Sequence, residues 1–294
     1  MSAEPRWDVE GRSWPNRAAS RFVTAGRLRW HVQEMGPRDA PVLLLLHGTG
    51  AATHSWRDLA PLLAEQFRVV APDLPGHGFT RGRPAGGLSM VAMARALGEL
   101  LATLGLDPAL VVGHSAGAAI AIRMALDGIA APRQLVGLNA ALLPIPGLAG
   151  VLFPSLARLL FVNPFAPQLF ARMARTPGET ARFLARSTGS TIDAAGIAAY
   201  QSLFATPAHC SGAITMMADW DLVGLRRDLP RLGLPLLLVH GQHDSAIPLA
   251  HAQQAAAIMA PARLVALPGF GHLAHEEAPD QIAALITQFA REDC

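Results

Sequence analysis

Cysteine is almost missing from this chain: 294 residues hold two, Cys210 and Cys294, far apart in sequence. That excludes a disulfide framework and reads as a reduced, cytoplasmic protein. Charge is scarce as well, at 16% of residues, with a net charge of +2 and the basic residues scattered rather than clustered. A nucleic-acid partner is not expected from such a surface. With 51% apolar residues, the chain carries too much hydrophobic material for disorder. No apolar run reaches spanning length, because the richest stretch, 147–162, is interrupted by Pro154 and Arg158. The N-terminal residues contain no apolar signal core, so any membrane contact is expected to be peripheral. Internal repeats and low-complexity linkers are absent too.

What is present is an alternation of strand and helix patterns. Strands are predicted at 20–24 and 28–34, forming a hairpin, and then at 41–46, 67–71, 110–113, 134–138, 235–239 and 263–267. Helical spacing falls between them at 59–66, 88–104 (with Ser89 as N-cap), 118–124, 250–259 and 281–290. Such alternation predicts an α/β fold with a mostly parallel sheet of about eight strands, covered on both faces. Between 141 and 227 the rhythm changes to helical patterns broken by seven prolines, with no convincing strand. We read this as an inserted helical cap (141–227) over a core domain made of 1–140 and 228–294. The cap would lie at the strands' carboxyl ends, where open α/β sheets bind ligands. Trp7 and Trp14 would anchor the polar N-terminal stretch.

The chemistry centres on Gly113-His114-Ser115-Ala116-Gly117. A buried strand runs into it and a helix follows, which is the setting of a nucleophile elbow. The turn cramps the backbone at Ser115 and tolerates only small neighbours, hence Gly113 and Gly117. A serine hydroxyl needs a base, and the base needs an orienting group. Asp244 follows one late strand and His272 follows the last, and the order Ser115, Asp244, His272 is that of α/β-hydrolase triads. His275 is a rival base that fits better as a helix residue. Asn139 and Asp219 are weaker orienting groups. Backbone N–H groups of Ala116 and Thr49 are the candidate oxyanion donors, with His47 tying the second loop down. His240 and His243 lack a third partner for a metal site, so neither metal nor cofactor is expected.

These segments, with Asp73-Leu-Pro-Gly-His-Gly78, resemble the α/β-hydrolase superfamily along essentially the whole chain. More narrowly, Trp14-Pro-Asn-Arg17, Leu28-Arg-Trp-His-Val-Gln33, the 47–56 segment and Gly113–Ile120 resemble the magnesium-chelatase-associated hydrolases of bacteriochlorophyll biosynthesis. The resemblance implies a hydrophobic, tetrapyrrole-like substrate and an association with magnesium chelatase, by contact or by pathway. In the cap, Leu148, Leu152, Phe153 and Phe161 are candidate substrate contacts, and the same apolar stretch could rest on a membrane surface. Three functions stay open at this point: an ester-cleaving serine hydrolase, a catalytically silent tetrapyrrole binder that serves the chelatase, and a carbon–carbon bond hydrolase. Dehalogenase and epoxide-hydrolase chemistry is disfavoured because those relatives carry aspartate where this chain has Ser115.

Overall fold

A computed structural model describes residues 4–144 and 165–292. Short aliphatic runs bounded by Gly, Pro and Asp form eight strands: β1 (Ser20–Ala25), β2 (Leu28–Met35), β3 (Val42–Leu46), β4 (Arg68–Pro72), β5 (Leu110–His114), β6 (Gln134–Leu138), β7 (Leu236–Gly241) and β8 (Ala262–Leu267). They make one sheet in the order β1-β2-β4-β3-β5-β6-β7-β8. The pairs β1–β2 and β2–β4 are antiparallel; every other pair is parallel.

Helices α1 (Leu59–Leu63), α2 (Met90–Leu104), α3 (Ala116–Leu126), α9 (Leu249–Ile258), α10 (Ala274–Glu277) and α11 (Pro279–Arg291) accompany the strands, while α4 (Ala166–Ala174), α5 (Glu179–Thr188), α6 (Ala194–Phe204), α7 (Pro207–Ala218) and α8 (Leu222–Asp228) lie between β6 and β7. The leucine run of β3 explains the layering. Leu43 and Leu45 join a core with Leu59 and Leu63 of α1 and Ile282 and Ile286 of α11. Leu44 and Leu46 join the opposite core, with Met93 and Leu97 of α2 and Ile120 of α3. All four leucines are fully buried, and each contributes about 1.5–3 kcal/mol by leaving water. A strand buried on both faces must therefore be apolar at every position, not at alternate ones.

Ser89 caps α2 through its hydroxyl, and Gly105 ends the helix in the left-handed region. The helix expected over 59–66 stops at Leu63, because Gln66 and Phe67 both turn their amides to the Leu63 carbonyl. Trp14 is buried and donates to Thr53 Oγ1 at 2.9 Å, while Trp7 packs edge-on against Phe22 and Phe79. β4 and β5 flank β3 on opposite sides, so chain direction across the sheet reverses there. The carboxyl ends of β3 and β5 therefore border a crevice.

Candidate active site

β5 delivers the chain to Ser115, and α3 begins at the next residue. Ser115 has φ 51° and ψ −116°, a conformation that costs a non-glycine residue about 1–3 kcal/mol. Its surroundings enforce it. The Ser115 amide donates to Leu138 O at 2.9 Å, and its carbonyl accepts from Ala118 N and Ala141 N at 3.2 Å. A Cβ on Gly113 would strike the backbone of Ala118; one on Gly117 would strike the carbonyls of Leu46 and His47. Strand and helix thus pack too closely for any side chain at either glycine. The half-buried Ser115 hydroxyl makes no hydrogen bond among the described residues.

Asp244 follows β7 and is almost completely buried. Oδ1 accepts from the amides of Ala246 and Ile247, both at 2.8 Å. Oδ2 lies 2.7 Å from His272 Nδ1 and accepts from Asn139 Nδ2 at 2.8 Å. Burial alone would raise the Asp244 pKa, but the His272 ring, the Ile247 amide and Asn139 outweigh it, and the net shift is downward. The carboxylate is held ionised and holds His272 by Nδ1, leaving Nε2 for other work. The His272 amide donates to Thr188 O at 2.8 Å, and its carbonyl accepts from His114 Nε2 at 2.9 Å. His114, at the end of β5, thus ties the His272 loop to the strand that carries Ser115.

The second loop bordering the serine is His47–Gly50. A Cβ on Gly48 would come within 3.1 Å of Ser115 Cβ, so this backbone is directly beside the serine. Neither the Thr49 nor the Ala116 amide donates a hydrogen bond among the described residues. His47 Nδ1 donates to Gly48 O and Nε2 accepts from Leu74 N, both at 2.8 Å. Burial pulls its pKa down to about 3, so the ring is a neutral tie.

The structure thus brings Ser115, Gly48, Thr49, Ala116, Asp244 and His272 to one rim of the sheet. Asp219 lies elsewhere, at the end of α7 near Gly87, and His275 is buried on α10. His240 Nε2 donates to Ile247 O at 2.8 Å. Leu148, Leu152, Phe153 and Phe161 lie outside the described residues.

Sequence reasoning missed several supports. Asn139, at φ 46° just past β6, holds Asp244 rather than rivalling it. Residues 188–191 pass between the acid and histidine loops: Thr188 O accepts from Ser245 N and His272 N, and Ser190 Oγ accepts from Leu273 N. Glu277 receives Ser190 Oγ, Gly271 N and Thr191 N. The glycine pair Gly189 and Gly271 was the available signal, since a Cβ on either would strike the opposing backbone. A buried group made of Ser55, Tyr200, His275 and Glu276 also escaped notice.

A family model described as the alpha/beta hydrolase fold matches residues 41–279, and the chain belongs to that family. Within it, the chain is 43% identical over 274 residues to a protein from Rhodobacter capsulatus named magnesium-chelatase 30 kDa subunit, covering 93% of this chain and 95% of that one. It is 32% identical over 258 residues to a pimeloyl-acyl-carrier-protein methyl ester esterase of Aromatoleum aromaticum, covering 85% and 98%. A haloalkane dehalogenase 2 of Mycobacterium tuberculosis is 31% identical over 278 residues, covering 92% and 94%. The solved structure of Cfl2 from Burkholderia cenocepacia superposes with a TM-score of 0.76 at 25% identity, covering 92% and 95%.

Proposed function

We propose that this protein is a serine hydrolase that cleaves an ester or related acyl bond of a hydrophobic molecule through an acyl-enzyme on Ser115. The supporting observation is the convergence on one rim of a strained serine, an imidazole bonded to a buried carboxylate, and two amides that donate to no group among the described residues. His272 Nε2 takes the hydroxyl proton as Ser115 Oγ attacks the acyl carbon. The imidazolium is stabilised by Asp244, and the developing oxyanion by the N–H groups of Thr49 and Ala116. His272 then protonates the leaving alcohol, and water, deprotonated by the same ring, releases the acid. Apolar side chains stand beside this path: Leu184, Tyr200 and Leu273 cluster with Ala51, Ile192 and Phe204.

Similarity to a chelatase-named relative supports a substrate of tetrapyrrole type and a role alongside magnesium chelatase. The helices between β6 and β7 act as a cap of 141–227 on a core of 1–140 and 228–294. The likeness to a dehalogenase is read as shared fold, since that chemistry uses a carboxylate at the elbow and this chain has Ser115.

A fluorophosphonate probe tests the reading, because Ser115 Oγ would displace fluoride from its phosphorus. We expect one adduct, mapped to Ser115 by mass spectrometry and abolished in Ser115→Ala. Folded wild-type protein that stays unlabelled yet binds a porphyrin as tightly as Ser115→Ala would replace the hydrolase with a carrier.

A further inference from the structure

Helix α7 presents His209, Gly212 and Met216, spaced three and four apart, to the loops that border the serine. His209 is 1% exposed. Its Nδ1 accepts from Gly78 N at 3.1 Å and its Nε2 meets Gly50 O at 3.0 Å. One acceptor and one donor fix a neutral ring with its proton on Nε2. Burial, followed by the neighbouring His77, pulls the pKa down to about 3, so this state persists across the working range. Gly212 brings the helix backbone onto the turn, where a Cβ would strike the Gly76 carbonyl. Met216 Sδ accepts from Thr49 Oγ1 at 3.4 Å.

Thr49 thus sits between two neutral histidines. Upstream, His47 holds Gly48 O; in a trans peptide the carbonyl opposes the next N–H, so this bond aims the Thr49 amide away from His47. Downstream, Gly50 has φ +77° and no side chain to resist rotation. Its carbonyl's bond to His209 ties the Gly50 peptide to α7.

We propose that His209 is a positioning residue that locks the Gly50 peptide, so that the Thr49 N–H keeps its aim at the oxyanion. Helix α7 would then build part of the charge-stabilising site as well as cover it. The inference rests on the acyl-enzyme reading above.

Saturation kinetics of fluorophosphonate labelling separate the alternatives. Glutamine places an amide donor near the old Nε2 and keeps the Gly50 bond; asparagine places its amide near Nδ1 and loses it. We expect His209→Asn to lower the limiting labelling rate by about tenfold or more at an unchanged half-saturating concentration. His209→Gln should stay within about threefold of wild type. Equal losses in both variants, or a change confined to the half-saturating concentration, would reduce His209 to a packing residue. Should His209→Asn fail to fold, Met216→Leu keeps the volume and removes the Thr49 acceptor, and a slower limiting rate is expected there too. Nitrogen-15 spectra of the wild type should show the His209 ring neutral and protonated on Nε2 from about pH 5 to 8; a Nδ1-protonated or cationic ring overturns the inference. A labelled wild type with unaffected variants sinks this inference alone, whereas an unlabelled wild type sinks the hydrolase reading and this with it.

Discussion

Glu276 is buried beneath Ser55 and Tyr200, yet it is ionisable. Burial pushes its pKa up to about 7, against hydrogen bonds from Ser55 at 2.5 Å and Tyr200 at 2.8 Å and the charge of Arg57. The unfolded chain releases this proton at the ordinary value of 4.5, so between 4.5 and about 7 the folded state binds more protons than the unfolded one. Stability therefore falls as pH rises through that window and levels off above it. Glu276→Gln keeps an acceptor for both hydroxyls and removes the penalty. We expect it to be more stable than wild type by roughly 3 kcal/mol at pH 8 and about equal at pH 4, read from urea unfolding at the two values. The sequence could not show this, because Ser55, Tyr200 and Glu276 meet only through folding. That Ser115, Asp244 and His272 stand just past strand ends was legible for the opposite reason: each position follows an apolar run, a local signature. From the sequence alone Asn139 is only an alternative orienting group, because nothing in its neighbours reveals which way its amide turns.

The elbow is only as good as the packing of β3, β5 and α3. Gly117→Ala sets a methyl against the carbonyls of Leu46 and His47, which are backbone atoms that cannot rotate away. Gly105, also a helix-end glycine, has φ +63° and open space where its Cβ would stand. Gly105→Ala should thus cost only conformational strain, about 1–2 kcal/mol. Gly117→Ala should cost at least about 3 kcal/mol or prevent folding, by the overpacking limit. Thermal melting of the two variants checks the contrast. At this scale the strand runs were readable because two-sided burial leaves an uninterrupted aliphatic string. The short α10 helix and the end of α1 were not, since their limits are set by a turn's hydrogen bonds rather than by hydrophobic period.

Seen whole, the surface is uneven. Around α4 and α5, Leu169, Met173 and Phe183 are 60%, 49% and 52% exposed. Between 165 and 188 there are four arginines (172, 175, 182 and 186) and one acidic residue, Glu179. No helix among the described residues is long and apolar enough to cross a membrane. An apolar, cationic face of this kind supports adsorption to an anionic bilayer. We expect the protein to sediment with phosphatidylglycerol vesicles more than with phosphatidylcholine vesicles, with salt and the double substitution Leu169→Asp, Phe183→Asp each reducing the bound fraction several-fold. Sedimentation independent of lipid charge would refute this.

Residues 188–191 are bolted to the two loops that carry Asp244 and His272. A flap that swung outward as one rigid piece would tear both loops from their places. A bulky substrate of the kind proposed above would then have to enter through the outer helices, with the loops of Asp244 and His272 left in place. Admission and readiness would then be separate events.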